Sequence, residues 1–246
     1  MIKFFRKIRQ RLLVENKFSK YLLYAIGEIV LVVVGILIAL QINNWNEEKK
    51  DNAESVKILK KLQAEFETNK TELDASIHYH QQQHEAAVKI EALFDPNHKI
   101  PSDTIANQVI QLFADWKFEP RQSITTSALA SGKIALINND SLTDNLNTWM
   151  YAIKKYNNIF SSLEKRKDEM WDEVNEKYPI RNFEPNKGVS NFKGDPEGIF
   201  TNLKNENIIR LIRDQQEFIV VWCNALQEDH EDILRFINLE LSEKEH

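Results

Sequence analysis

The sequence predicts an all-α protein, with an N-terminal transmembrane helix continuing into an antiparallel extracytoplasmic helical bundle. Three observations predict it. Residues 21–42 are an apolar run with a single acidic or basic group, Glu28. Glycine and proline are absent from 36–95, 133–178 and 199–246, which leaves room for three long helices. Within those stretches apolar residues recur at intervals of three and four, the helical period. The chain has 246 residues, 42% hydrophobic and 28% charged, with one cysteine, which excludes collagenous, low-complexity and disulfide-framework proteins.

Residues 1–20 form a basic segment. Lys3, Arg6, Lys7, Arg9, Arg11, Lys17 and Lys20 stand there against Glu15 alone, while the whole chain carries a formal charge of −5. Met1, Phe5, Ile8 and Leu12 fall at helical spacing among the basic residues, as in a short helix lying on an inner leaflet, with Lys3, Arg6, Lys7, Arg9 and Arg11 toward lipid headgroups. A disordered basic tail is the alternative, because an isolated helix of this length is marginal in water. Nucleic acid is the less economical partner for a basic stretch that stops directly before an apolar run.

The segment 21–42 spans about 33 Å as a helix, enough for a bilayer core. Tyr21 and Tyr24 at one end and Trp45 at the other sit where amphipathic rings favour the two interfaces, and Gln41, Asn43, Asn44 and Asn46 mark the exit to water. A cleaved secretory signal is disfavoured. The run is longer than a signal core, and QINNWNEEKK after it has no small-x-small cleavage pattern. The excess of basic residues before the span puts the amino terminus in the cytoplasm and residues 43–246 outside it. Ala25, Glu28, Val32, Gly35, Ala39 and Ile42 lie along one seam, with Gly35 and Ala39 as a small-xxx-small step. Helices in lipid associate through close backbone approach and interhelical hydrogen bonds, so this seam predicts a homo-oligomer or a contact with another membrane protein. Glu28 is expected to hydrogen-bond across that contact, since no other span in the chain offers a partner for energy coupling.

In residues 43–246 the first helix is expected to continue through about Phe94, with Val56, Leu59, Leu62, Phe66, Leu73, Ile77, Ala87, Ile90 and Phe94 near helical spacing. A short helix from Ser102 to about Trp116 presents Ile105, Val109, Leu112 and Phe113, and another covers Ser123 to Ser131, stopped by Gly132. The next starts after Asn139 and Asp140 and buries Leu142, Leu146, Trp149, Ile153, Tyr156, Phe160, Leu163, Met170 and Val174 before Pro179. The last runs from about Asn205 to Leu241 with Ile208, Leu211, Ile212, Phe218, Ile219, Trp222, Leu226, Ile233, Phe236 and Ile237 as its face. Pro179 to Gly198 reads as a surface loop.

Chemistry is sparse. His80 and His84 share a helix face at chelating spacing, but two ligands make no metal site, and His230 is expected opposite about residue 61 rather than 80. Cys223, amid apolar neighbours, reads as a buried small hydrophobe. No nucleophile elbow, phosphate loop, dinucleotide fingerprint or zincin motif is present, so neither a catalytic constellation nor a cofactor is expected. The corner 121–140 combines hydroxyl residues with Gly132. It is either an ordinary helix-turn-helix corner or, with Trp116, Arg121, Ser127 and Ser131, a place for an anion, small molecule or peptide end.

The opening residues MIKFFRKIRQRLLVENKFSKYLLYAIGEIVLVVVGILIALQINNWNE resemble a domain-of-unknown-function family of single-pass inner-membrane proteins from Bacteroidota. Gly27, Glu28, Gly35, Gln41, Asn43, Asn44 and Trp45 look like its signature, and ALASGKIALINNDSLTDNL is similar to a weaker pattern later in it. The resemblance implies a Gram-negative inner membrane, a periplasmic helical domain and no known activity. Together these residues favour a membrane-anchored, non-enzymatic, self-associating interaction or sensory module; the alternative is a periplasmic small-molecule or peptide binding protein with its site at the 116–132 corner.

Overall fold

The computed structural model describes residues 18–95, 111–113, 116–183, 186, 188–195 and 197–244, with the side chains of 18–21 and 24 outside that description. The basic residues Lys3, Arg6, Lys7, Arg9 and Arg11 lie outside the described residues, as does most of the helix expected from Ser102. The described residues form α1 (Phe18–Glu91), α2 (Ser123–Ala130), α3 (Asp140–Lys177), α4 (Glu197–Phe200) and α5 (Leu203–Lys244), with tight 3-10 turns at Lys133–Ile137 and Ile180–Phe183. Among them there is no strand. Residues 111–113 are helical, whereas Trp116 is not. The chain divides into two units, Met1–Glu54 and Ser55–His246.

In the first unit α1 carries its aliphatic side chains in the open. Leu31 and Leu23 are more than 70% exposed, and Ile29, Val32, Leu37 and Ile42 more than half. An 18-residue apolar window of this helix has none of its residues buried, and its length and composition are those of a membrane-crossing helix. Among the described residues, nothing in the chain covers it.

The second unit is built on the apolar stripes of α1, α3 and α5. Leu59, Leu62, Phe66, Leu73, Ala87 and Ile90 of α1 are buried, and on α3 every residue expected inside, from Leu142 to Val174, is inside. Each such aliphatic side chain contributes about 1.5–3 kcal/mol by leaving water. Phe66 and Phe118 both meet the Trp149 ring, at centroid distances of 5.4 and 6.2 Å. Partners rise in number along α1 as they fall along α5. Gln63 bonds Asn238, Asp74 bonds Gln227, and Glu91 bonds Arg210 and Arg213. This register sets residue 241 opposite about residue 60. On α5 the expected face is too wide, because Leu211 and Phe218 are 43% and 50% exposed, while Ile208, Ile212, Ile219, Cys223 and Leu226 take the core positions.

Local chemistry fixes the helix ends. Asn139 accepts a hydrogen bond from the Leu142 amide at 2.8 Å and so caps α3, whose first turn also holds Asp140. Gly132 sits at φ 69°, a left-handed conformation that ends α2 and turns the chain into Lys133–Ile137, where Ile134 and Ile137 are buried. α1 ends at Glu91, three residues before Phe94, in a turn whose Leu93 amide donates to Ile90. Within the segment expected as a plain loop, Ile180–Phe183 is a tight turn and α4 forms. Asp195 accepts from the Gly198 amide at 2.9 Å, and Ile199 and Phe200 are buried, with Phe200 against Phe94.

Candidate functional site

Two polar constructions stand out in the second unit, and both begin on α1. The first is a clamp on the irregular strap that precedes α2. Asn69, fully buried, donates to the Arg121 carbonyl at 2.9 Å and accepts from the Arg121 amide at 2.8 Å, so one side chain pairs both backbone groups of one residue. One turn earlier, the buried Glu65 carboxylate accepts from the Ile124 amide at 2.7 Å, the Thr125 amide at 3.0 Å, the Thr125 hydroxyl at 2.7 Å and the Ser123 hydroxyl at 3.4 Å. Gln122, at the N-cap position of α2, makes no side-chain cap. Glu65 does that work from another helix, and its negative charge sits at the positive end of α2.

The second is a layer of directed hydrogen bonds across α1, α3 and α5. The Lys167 ammonium donates to Gln83 Oε1 at 2.7 Å, and Gln216 Nε2 donates to the same oxygen at 3.1 Å. Gln83 Nε2 donates to the Gln111 carbonyl at 2.8 Å. With the Gln216 amide so oriented, its oxygen accepts from His80 Nδ1 at 3.0 Å, which leaves His80 Nε2 to accept from the Tyr156 hydroxyl at 3.4 Å. The Tyr156 oxygen in turn accepts from the Phe118 amide at 2.8 Å. Every bond in the chain therefore has one consistent direction, and it requires neutral His80.

The electrostatics agree with that requirement. Burial lowers the His80 pKa to about 4, against the opposing hydrogen bond that Nδ1 donates to Gln216, and the Lys167 charge lowers it further. Burial raises the Tyr156 hydroxyl well above its ordinary range. His230 is also held below its usual value by burial, while its Nε2 donates to the Phe66 carbonyl at 2.6 Å. The expected position of His230, opposite about residue 61, is thus corrected to about residue 71, since α5 is shifted along α1 relative to the sequence estimate, and from that level its ring reaches back to the Phe66 carbonyl. Burial pushes the Cys223 thiol up to about 12, and the side chain is fully enclosed.

The residues singled out from sequence are distributed as follows. On the seam, Val32, Gly35, Ala39 and Ile42 are exposed and Ala25 and Glu28 half-buried. A Cβ added to Gly27 or Gly35 would meet nothing within 4 Å. Trp116 packs on Tyr79 at 5.9 Å, whereas the Arg121 backbone is held by Asn69, ten residues earlier on α1. Those two anchor points are about 15 Å apart along the helix. Ser131 donates to the Ser127 carbonyl at 2.7 Å, closing the end of α2 on itself. Of the four residues expected to share a corner, Ser127 and Ser131 meet each other, while Trp116 and Arg121 are engaged at different points along α1. Beside Arg121 a surface cavity of about 340 Å³ is lined by Lys61, Glu65, Thr68 and Ser123. His84 meets the Arg213 carbonyl at 3.3 Å, so His80 and His84 face different partners, and no cluster of three metal-binding side chains occurs among the described residues.

Glu65, Asn69, Gln83, Lys167 and Gln216 were not picked out from sequence. A signal was present. Each of Asn69, Gln83, Lys167 and Gln216 stands where the apolar stripe of its helix calls for a hydrophobic residue: between Phe66 and Leu73, before Ala87, between Leu163 and Met170, and between Ile212 and Ile219. Gln83, Lys167 and Gln216, on three stripes at one level, pair with each other, and Asn69 pairs with the Arg121 backbone, because a buried polar group without a partner costs about 1–3 kcal/mol.

Compared with known proteins, residues 28–178 match the model of a family of unknown function, DUF6090. No curated protein and no solved structure matches the chain.

Proposed function

The chain belongs to DUF6090, a family of unknown function, and on that footing we propose that it is a membrane-anchored helical interaction or sensory module, non-enzymatic and self-associating. The observation that carries this reading is the aliphatic surface of α1 between Leu22 and Ile42, exposed among the described residues apart from the half-buried Ala25 and Glu28. Such a surface is stable only in lipid or against other apolar helices. The excess of basic residues ahead of the span favours a cytoplasmic amino terminus, an inner-membrane anchor and an extracytoplasmic, periplasmic domain folded as an antiparallel bundle. The open Gly35 and Ala39 positions suit close approach of a second span, and membrane lipid is the other partner.

The polar layer supports an interaction or sensory role over a catalytic one. Its groups bond to one another across α1, α3 and α5, and a directed network of this kind favours one arrangement of three helices. A partner that displaces one of them breaks bonds on the other two. The test is to express the full chain in its native membrane, wash the membranes with alkaline carbonate and crosslink. The reading expects the chain to stay with the membrane and to give homomultimers or a reproducible protein adduct, weakened in Gly35→Leu/Ala39→Leu. Release by carbonate, or monomer alone, would overturn it.

A further inference from the structure

A cleft of about 330 Å³ opens over the polar layer, lined by Tyr79, Gln82, Gln83, Glu85 and Lys89 of α1 and, from across it, by Gln111. Tyr79 and Lys89 are ten residues apart, so the cleft runs about 15 Å along the helix. Its floor is Gln83, 3% exposed, which holds the far wall by donating to the Gln111 carbonyl at 2.8 Å and accepts from Lys167 and Gln216 behind it. A molecule seated here therefore lies against a residue through which α1 is tied to α3 and α5.

Two charged side chains line the cleft, and neither is paired. Glu85 and Lys89 are exposed at i,i+4 spacing with the acid first, the order that favours an ion pair. Elsewhere on the protein Lys70 and Asp74, and Glu173 and Lys177, close such pairs at 3.9 and 3.6 Å, whereas Glu85 and Lys89 bond neither each other nor any other described residue. The other ionisable groups nearby are engaged: His78 with Gln82 Nε2 at 3.0 Å, His84 with the Arg213 carbonyl, Lys167 with Gln83, and Glu91 with Arg210 and Arg213. At the opposite end Tyr79, half-buried, offers a ring that packs 5.9 Å from Trp116, itself 45% exposed.

This lining discriminates by charge. A lone anion would face Glu85 and a lone cation Lys89, while an uncharged polyol would draw both heads from water without giving either an ionic partner. A zwitterion satisfies both. We propose that the cleft binds a free α-amino acid, its ammonium on Glu85, its carboxylate on Lys89 and its side chain running toward Tyr79. Both head groups of such a molecule sit on one carbon, and one helical turn, about 5–6 Å between the two Cβ atoms, spans them. The bound molecule bridges α1 to the segment at Gln111 and so favours one arrangement of the helices that Gln83 joins. Its use as a signal rests on the sensory reading above, which it deepens by naming the class of molecule sensed.

The experiment places the full chain in native-membrane nanodiscs and measures binding of each of the twenty common amino acids by ligand-observed NMR. Calorimetry then compares the strongest binder with its N-acetyl derivative and its methyl ester, each of which lacks one charge. The expected result is binding at millimolar concentration or below, weakened about tenfold in either derivative, and weakened about tenfold for the amino acid itself in Glu85→Gln or Lys89→Gln. Glu85→Gln should leave affinity for the N-acetyl derivative unchanged, and Lys89→Gln that for the methyl ester. Both positions are exposed, so both variants should keep wild-type helicity by circular dichroism. Binding of none of the twenty, derivatives that bind as well as the parent, or variants that bind as wild type overturns the site. Crosslinking the same nanodiscs separates this from the wider reading. Homomultimers without amino-acid binding refute the cleft alone; binding by a chain that stays monomeric refutes self-association and upholds the cleft.

Discussion

Protonating His80 should be among the most damaging single events in the second unit. Its ring is 2% exposed, Nδ1 already donates to Gln216, and Nε2 accepts from Tyr156, so a second ring proton on Nε2 is directed against the hydroxyl proton it now accepts. The pKa falls from 6.5 to about 4 on folding. Between those values the unfolded chain binds a proton that the folded chain refuses, so stability is full above pH 6.5 and is lost as the pH falls toward 4. At about 1.4 kcal/mol per unit of displacement, the loss is about 3 kcal/mol, a large share of a typical domain's 5–15 kcal/mol. The assay is urea unfolding of the full chain in detergent micelles, followed by tryptophan fluorescence at pH 7 and pH 4. His80→Gln removes the titrating ring while keeping a donor and an acceptor. Wild type should lose about 3 kcal/mol more than His80→Gln over this interval, the residual slope in the variant including His230. Equal slopes would refute the assignment of a neutral, hydrogen-bonded His80.

Other outcomes follow from the same geometry. Glu65→Gln leaves one acceptor oxygen where four donors converge, and should cost about 1–3 kcal/mol while speeding hydrogen exchange at the Ile124 and Thr125 amides; unchanged exchange would count against the cap. Tyr156→Phe strands the buried Phe118 amide and should cost about 1–3 kcal/mol in the same urea assay, with loss below 0.5 kcal/mol contradicting the bond. Cys223, enclosed and with its thiol pushed up to about 12, should resist maleimide at pH 8 in the folded chain and label fully in urea. Rapid labelling of the native protein would show that α5 does not bury it.

Much of the architecture was legible because it rests on local rules. The stripe on α3 from Leu142 to Val174 has a single period, a capping Asn139 before it and Pro179 after it, and the structure follows all three. What failed depended on neighbours. Leu211 and Phe218 sit on the flank of the α5 stripe, where the width of the buried face is set by how closely α1 and α3 approach, a quantity with no local signature. His230 was misplaced because the register of α5 on α1 is decided by side chains such as Asn238 and Gln227 finding Gln63 and Asp74, pairs far apart in the chain. Glu65 illustrates the remainder: its three-dimensional role as a cap for α2 cannot be read on α1, where it is one acid among several. The corner 121–140 showed hydroxyls and a glycine, but not that its first amides are taken up by that carboxylate.

The exposed face of α1 must be met by lipid and by another chain if the protein is a self-associating membrane module. In-cell crosslinking of the full protein in its native membrane, with every adduct identified by mass spectrometry after carbonate washing, measures this most directly. The account predicts carbonate-resistant homomultimers whose yield drops in Gly35→Leu/Ala39→Leu. A chain recovered in the carbonate wash, or one that remains monomeric in the membrane, would contradict it.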